Sequence, residues 1–369
     1  MATPVQWHPG TAPLAPLWSV ALPLLPDELL SSWLIRSALA QGCDPSVLTG
    51  AVWPRWRVWG LDVDRGVGAE RLSALSRCAG LPASAFEAAC LRRVVAPLNT
   101  GPLAEVGTWG WMLTLGARQG RRQGGLQMCP DCWVTQAIPY YQMSWRLAWQ
   151  TCCRTHGVRL RDRCPHCDAP LEPHRLEAIS GTLTLCARCL GDLRIGERSL
   201  WSEPAATVQQ VADGVALTGQ GTFWGVTLEA REWFAVVRRL LNLLRRAAKY
   251  PDSAVTAMFA ALEVPIARLS SPATGLPLEL LPVQEREALF TALWPLLQAD
   301  QNQWLQAASQ AGVTRSAFLS RDETLPLIWE SLLQALPEHR RVRPSKSDSR
   351  PPKSQRAVTR LYALLRRKV

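Results

Sequence analysis

The stretch CPDCWVTQAIPYYQMSWRLAWQTCCRTHGVRLRDRCPHCDAPLEPHRLEAISGTLTLCARC, residues 129–189, decides the reading of this chain. Two Cys-Pro-x-Cys turns stand in it, Cys129–Cys132 and Cys164–Cys167, and each has a partner dyad downstream, Cys153–His156 and Cys186–Cys189. A two-residue gap lets one tight turn aim two ligands at a single tetrahedral ion, and two such turns close the coordination shell. The spacing predicts one zinc on Cys129, Cys132, Cys153 and His156, and a second on Cys164, Cys167, Cys186 and Cys189. Cys152 adjoins Cys153 and competes with it for the first ion. The other cysteines, Cys43, Cys78 and Cys90, read as core on apolar helix faces. His166 and His174 read as surface residues. Both zincs read as structural, because protein ligands fill all four positions and no H-x-E or H-E-x-x-H motif supplies a general base beside an open position. A segment this short has little core of its own, and bound zinc, worth about 10–16 kcal/mol apparent, substitutes for one.

Working outward, the flanks read as helical. Asp27 is placed to cap a helix through Leu29, Leu30, Trp33, Leu34 and Ala38 that Gly42 ends. A helical pair follows at 71–93, broken at Gly80 and restarted at Ser84. Residues 116–125 read as a basic loop, 142–151 as a short helix carrying Trp145 and Trp149 between the zinc sites, and 182–186 as a strand. Past residue 203 the pattern is helical again: an amphipathic run at 228–249 with arginines opposite its apolar stripe, then 283–299, 302–319 and 324–336. The expected architecture is mainly α, with a small zinc-ribbon-like α+β insert between helical N- and C-terminal domains. The divisions fall at 1–125, 126–200, 201–339 and a basic tail at 340–369 whose Pro/Ser-rich start reads as disordered.

Composition bounds the function. Of 369 residues, 47% are hydrophobic, enough for a packed core. The formal charge of +11 is concentrated in residues 340–369, where eleven Arg and Lys meet one Asp, leaving +1 for everything before. Only four of the 41 basic residues are Lys, and none lies in a P-loop, so the chain is no P-loop ATPase. With no signal peptide or membrane span in the pattern and with cysteines paired as metal dyads, the expected setting is the reducing bacterial cytoplasm.

The residues Pro26-Asp27-Glu28-Leu29-Leu30-Ser31-Ser32-Trp33-Leu34 and the ordered run CPDC, PYYQMSWRLAW (139–149), CCRTHG (152–157), DRCPHC (162–167) and CARCLGDLR (186–194) resemble the TniQ family. The doubled Cys152 departs from the family's single cysteine. The resemblance covers about residues 20–200. It implies a non-catalytic target-selection protein of Tn7-like transposons, related to TnsD proteins. Such a protein links a target-recognition complex, a CRISPR effector with its guide RNA, to a TnsC-like AAA+ ATPase and the transposase. The alternative it implies is direct, sequence-specific binding of target DNA at an attachment site. A homodimer is implied in the same way.

Candidate contacts come from the residues themselves. Residues 302–319 fit a helix-turn-helix, with Ala308, Gly312 and Thr314 at the crossing, turn and cap, and with Arg315 and Arg321 near base-reading positions; 71–93 is a weaker match. The ordinary αα-hairpin is the competing reading of both. Arg340, Arg341 and Arg343 open a tail suited to non-specific phosphate contact or to simple solvation. Tyr140 and Tyr141 are candidate partner contacts.

Overall fold

The structure, a computed structural model, describes residues 17–115, 117–118, 121–122, 124–269, 276–319 and 327–338. Arg321, Arg340, Arg341, Arg343 and the whole of 340–369 lie outside the described residues, as does part of the 116–125 loop. No helix among the described residues is long and apolar enough to cross a membrane.

The fold is mainly helical. Helices α1 (Leu30–Ala40), α2 (Pro45–Val52), α3 (Ala69–Ala79), α4 (Ala83–Ala88) and α5 (Arg92–Val95) make the N-terminal part. A short hairpin, β1 (Ala117–Arg118) and β2 (Arg121–Arg122), leads into α6 (Pro130–Thr135) and a second hairpin, β3 (Cys152–Cys153) and β4 (Val158–Arg159). Helix α7 (Glu203–Thr218) precedes a third hairpin, β5 (Gln220–Phe223) and β6 (Val226–Glu229). Helices α8 (Ala230–Lys249), α9 (Ala254–Ala261), α10 (Val283–Gln298), α11 (Gln301–Gln310) and α12 (Glu330–Ala335) follow.

Several local expectations change. Asp27 does not cap α1: Leu29 holds the N-cap position, and the Asp27 carboxylate instead accepts from the backbone N–H and the hydroxyl of Ser144. Gly42 does follow the helix end in a left-handed conformation, φ 69°, as a side-chain-free residue can. Residues 142–151 form no helix, only a 3₁₀ turn at Ser144–Arg146. Trp149 packs against Trp111 and Phe234 of α8 rather than between the metal clusters. Residues 182–186 form no strand; Leu185 makes a single bridge to Asp192. The β5–β6 hairpin was not foreseen, although its two-residue loop, Trp224-Gly225 with φ of 50° and 74°, is the turn a right-twisted hairpin favours. Cys43 and Cys78 are half-buried, and only Cys90 of the three is core.

Helix α8 is buried well beyond a single stripe. Trp233, Val237, Leu240, Leu241 and Leu244 are core, and Arg239 is buried too. Arg238 pairs with buried Glu279 and lies 4.2 Å over the Trp111 ring, while Arg245 donates to the Leu276 carbonyl and Arg246 to that of Ala317. Three arginines opposite the stripe are therefore half-buried and bonded, one to a carboxylate and two to carbonyls, while Lys249 is exposed.

Two cores are packed. One joins α1 to α4 through Leu30, Trp33, Leu34, Leu72, Leu75 and Phe86. The other runs without a break from Leu91 and Trp109, through the Cys/His segment, to α7, α8, α10 and α12. No packing boundary falls at residue 125 or at 200, since residues 109–128 and α7 share this larger core with the metal-ligand segment.

Candidate metal centres

Each dyad is shaped by its own turn. Cys129 is the N-cap of α6 with Pro130 in the first turn, and its sulfur accepts the Cys132 N–H at 3.4 Å. Cys153 and His156 sit at the β3–β4 turn, where Gly157, φ 65°, returns its N–H to the Cys153 carbonyl. The second pair of turns are near copies of each other. Cys164 donates to Ala169 and Cys186 to Gly191; Asp168 (φ 54°) and Leu190 (φ 60°) donate back to Cys164 and Cys186. His166 N–H reaches the Cys164 sulfur and Arg188 N–H the Cys186 sulfur, each at 3.4 Å. Such N–H donors steady a thiolate and orient it toward a cation. Three of the four turns thus place a left-handed residue four positions after their first cysteine, and only the Cys129 turn runs on into a helix.

The structure brings the eight residues together as two groups: Cys129, Cys132, Cys153 and His156; and Cys164, Cys167, Cys186 and Cys189. Within each, the ligand atoms all lie within 4.8 Å of one another. A tetrahedral zinc with Zn–S of about 2.3 Å and Zn–N of about 2.0 Å requires S–S separations of about 3.8 Å and S–N of about 3.5 Å. Here Cys132–Cys153 is 3.6 Å, Cys164–Cys189 is 3.7 Å and Cys167–Cys186 is 3.8 Å. His156 Nδ1 lies 3.6, 3.4 and 3.4 Å from the sulfurs of Cys129, Cys132 and Cys153. The donor set fits. Each group could hold one divalent ion with every position taken by protein.

The thiols within each group perturb one another strongly. Hydrogen bonds from Cys129 and Cys132 hold the Cys153 thiol far below its ordinary value, while Cys132 is pushed far up by Cys129 and Cys153. Cys189 falls to about 7, chiefly through the Gly191 N–H. Several thiolates so close together need a shared cation.

Cys152 does not belong to either group. Its sulfur meets Gln209 Oε1 on α7 at 3.3 Å, and burial raises its thiol to about 12. The alternation of the β3 strand sends Cys152 to α7 and Cys153 to the ion.

What sequence reading missed is the polar frame around the centres. Arg146, fully buried, donates to Asp62 at 2.6 Å, Asp64 at 2.8 Å and the Leu113 carbonyl at 2.8 Å. Asp64 also accepts the Ser31 N–H and hydroxyl, each at 2.8 Å. Glu28 accepts from Arg36 at 2.7 Å and from Ser32, whose oxygen accepts the Tyr141 N–H. Glu28, Ser31, Ser32 and Arg146 therefore join the N-terminal helices to the metal segment. On the other side Arg286 of α10, also buried, donates to Ala148, Gln150 and Gln127. Buried charges this well bonded are the signal: an Arg inside an apolar run such as SWRLAW must find partners.

Residues 19–160 match the family model described as TniQ. That region is a TniQ domain. The domain indicates a target-selection protein of Tn7-like transposition. No curated protein matches the chain. The TniQ match takes in the N-terminal helices and the first metal group but ends before Cys164.

The other candidate residues fare differently. Tyr141 is buried, edge-on to Trp133 at 4.9 Å, and is no surface contact; Tyr140 is half-buried. The expected recognition helix after Gly312 is a single 3₁₀ turn, Arg315–Ala317, among the described residues. Arg315 is spent on the end of α12, donating to the carbonyls of Leu336 and Gln334 and to Glu338. In the N-terminal pair, α3 and the six-residue α4 are joined at left-handed Gly80, and α4 presents Ser84 and Glu87 outward, poor chemistry for a phosphate-lined groove.

Proposed function

We propose that this TniQ-domain protein is a non-catalytic adaptor in transposition. It connects a target-recognition complex, a CRISPR effector with its guide RNA, to a TnsC-like AAA+ ATPase. Two zinc ions, one per ligand group, hold its middle segment rigid. The observation that carries this reading over direct attachment-site binding is Arg315. The best-placed base-reading side chain of the better helix-turn-helix candidate is engaged by the end of α12, through the carbonyls of Leu336 and Gln334 and the Glu338 carboxylate. Both ligand groups, filled by protein donors, support a structural use of metal: a catalytic zinc keeps a position for water. The homodimer belongs to this reading through the family.

The test is a titration of the purified chain with duplex carrying the transposon's insertion site, against scrambled duplex, at physiological salt. The adaptor reading expects weak binding, equal for both sequences and steep in salt. Nanomolar preference for the attachment site would establish the direct selector instead.

A further inference from the structure

Residues 53–57 read Trp-Pro-Arg-Trp-Arg and form a turn after α2. The turn is pinned from below. Trp53 is buried and its Nε1 donates to the Arg71 carbonyl on α3 at 2.9 Å, while the Trp56 ring meets the Trp53 ring edge-on at 5.0 Å. Above the turn, the Arg71 guanidinium lies 4.1 Å from the centre of the Trp56 ring. Arg55, Arg57 and Arg71 are all exposed, and none has a carboxylate partner among the described residues. Arg55 holds φ of 67°, a backbone state in which glycine would be unstrained. An arginine kept at such a position presents its charge at a cost to the backbone.

The surroundings carry an excess of positive charge. Asp62 and Asp64, the acids that follow Arg57 in sequence, turn inward to Arg146. That leaves Arg55, Arg57, Arg71, Arg77, Arg92 and Arg93 exposed across residues 51–93, against Glu70 and Glu87. Arg92 repeats the stacking device on Trp109 at 4.9 Å.

A guanidinium stacked on a ring is held in place while its edge N–H groups stay free, and that fork matches two oxygens of a phosphate. Single-strand binders need bare aromatic faces on which bases stack. Trp56 has its face under Arg71 and its flank on Trp53, so it serves to position the arginine. We propose that Arg55, Arg57 and Arg71 form a grip for the phosphate backbone of duplex DNA, read without sequence preference. This goes beyond the adaptor reading and does not depend on it.

The experiment uses the full-length, metal-loaded chain and a labelled random-sequence duplex of about 30 base pairs, with anisotropy titrations from ~50 to ~200 mM salt. The variant R55A/R57A/R71A is expected to lose at least about tenfold in affinity near 100 mM salt. The slope of log K against log salt should fall by about 2–3, since each lost phosphate contact removes about 0.9. Arg55→Gly with Arg57→Ala leaves Arg71 on Trp56 and relaxes the backbone; it should melt no lower than the wild type yet bind duplex more weakly, which a purely structural role would not produce. Unchanged affinity and slope in the triple variant at native melting temperature would overturn the proposal. So would a single-stranded oligonucleotide that binds more tightly than duplex through the same three arginines. Because the duplex is random in sequence, either result is independent of whether target sites are chosen by this chain or by a partner.

Discussion

At the scale of single residues the cysteine pair 152–153 is the sharpest case. Sequence spacing leaves both available to the first ion; backbone alternation in β3 separates them, one to Gln209 and one to His156. Cys152→Ala should therefore keep two zincs per chain by metal analysis, and Cys153→Ala should keep one. A variant lacking Cys152 that loses metal would reverse the assignment. Asp213 of α7 makes a second prediction. It accepts from Trp149 Nε1 at 2.8 Å and Gln150 Nε2 at 2.5 Å, and burial raises its carboxyl to about 6 from 3.8. The folded chain thus holds this proton more tightly than the unfolded chain, so its contribution to stability is full below about pH 4 and is lost as pH rises through about 6. Asp213→Asn keeps an acceptor for both donors and removes the titration. Relative to wild type it should gain roughly 2–3 kcal/mol between pH 4 and pH 7, read as the difference of urea unfolding curves. A flat difference would place the proton elsewhere.

At the scale of elements, the dyads and the long helices were legible and the connecting chain was not. Four Cys/His dyads are legible because metal geometry is local: two ligands on one tight turn need only their own spacing. Helices α8 and α10 are legible because their apolar residues recur at the helical period. The helix expected at 142–151 failed for a physical reason. Trp145 and Trp149 are four apart, as on a helix, but the chain there is enclosed on several sides. Met112 bridges Leu147, Glu28 bridges Gln142, and Arg146 is drawn to Asp62 and Asp64. A segment buried all round has no stripe, and periodicity carries no information about it. The β5–β6 hairpin was missed because its strands are four residues each and its loop glycine, Gly225, follows a tryptophan. That hairpin lies close against α7 and α8: a Cβ on Gly221 would come within 2.6 Å of Trp233 Cδ1 and 2.7 Å of Val215 Cγ2. Both neighbours are core, with no room to yield. Gly221→Ala should cost about 1–3 kcal/mol by overpacking, seen as a lower melting temperature with metal content unchanged. An unchanged melting temperature would mean that the hairpin stands off the helices.

For the whole molecule, the sequence suggests a metal-held insert between two helical domains, and the packing suggests a different mechanical unit. Cys129, Cys132, Cys153, Cys164 and Cys186 are themselves members of the large core that contains Trp149, Phe234 and Leu293. Arg286 and the Arg159–Glu287 pair tie α10 directly to the metal segment, the latter at 2.6 Å. The N-terminal core is separately packed around Trp33 and Phe86. It is joined to the metal segment through Leu29 and Ile35 at α1, which belong to the large core, and through polar contacts: Arg146 with Asp62 and Asp64, and Ser32 with Tyr141. Structural zinc contributes about 10–16 kcal/mol apparent, against a total stability of about 5–15 kcal/mol for a typical domain. Removing the metal therefore exceeds what the large core can lose and still stay folded. Hydrogen exchange after chelation should show protection vanishing together from residues 129–189, α7, α8 and α10. Helices α3 and α4 should keep partial protection, because their buried residues pack in the separate N-terminal core. If loss stayed confined to 129–189, the metal segment would be an independent insert after all; if α1–α4 melted at the same rate, the buried Arg146 network would be coupling the two cores into one cooperative unit.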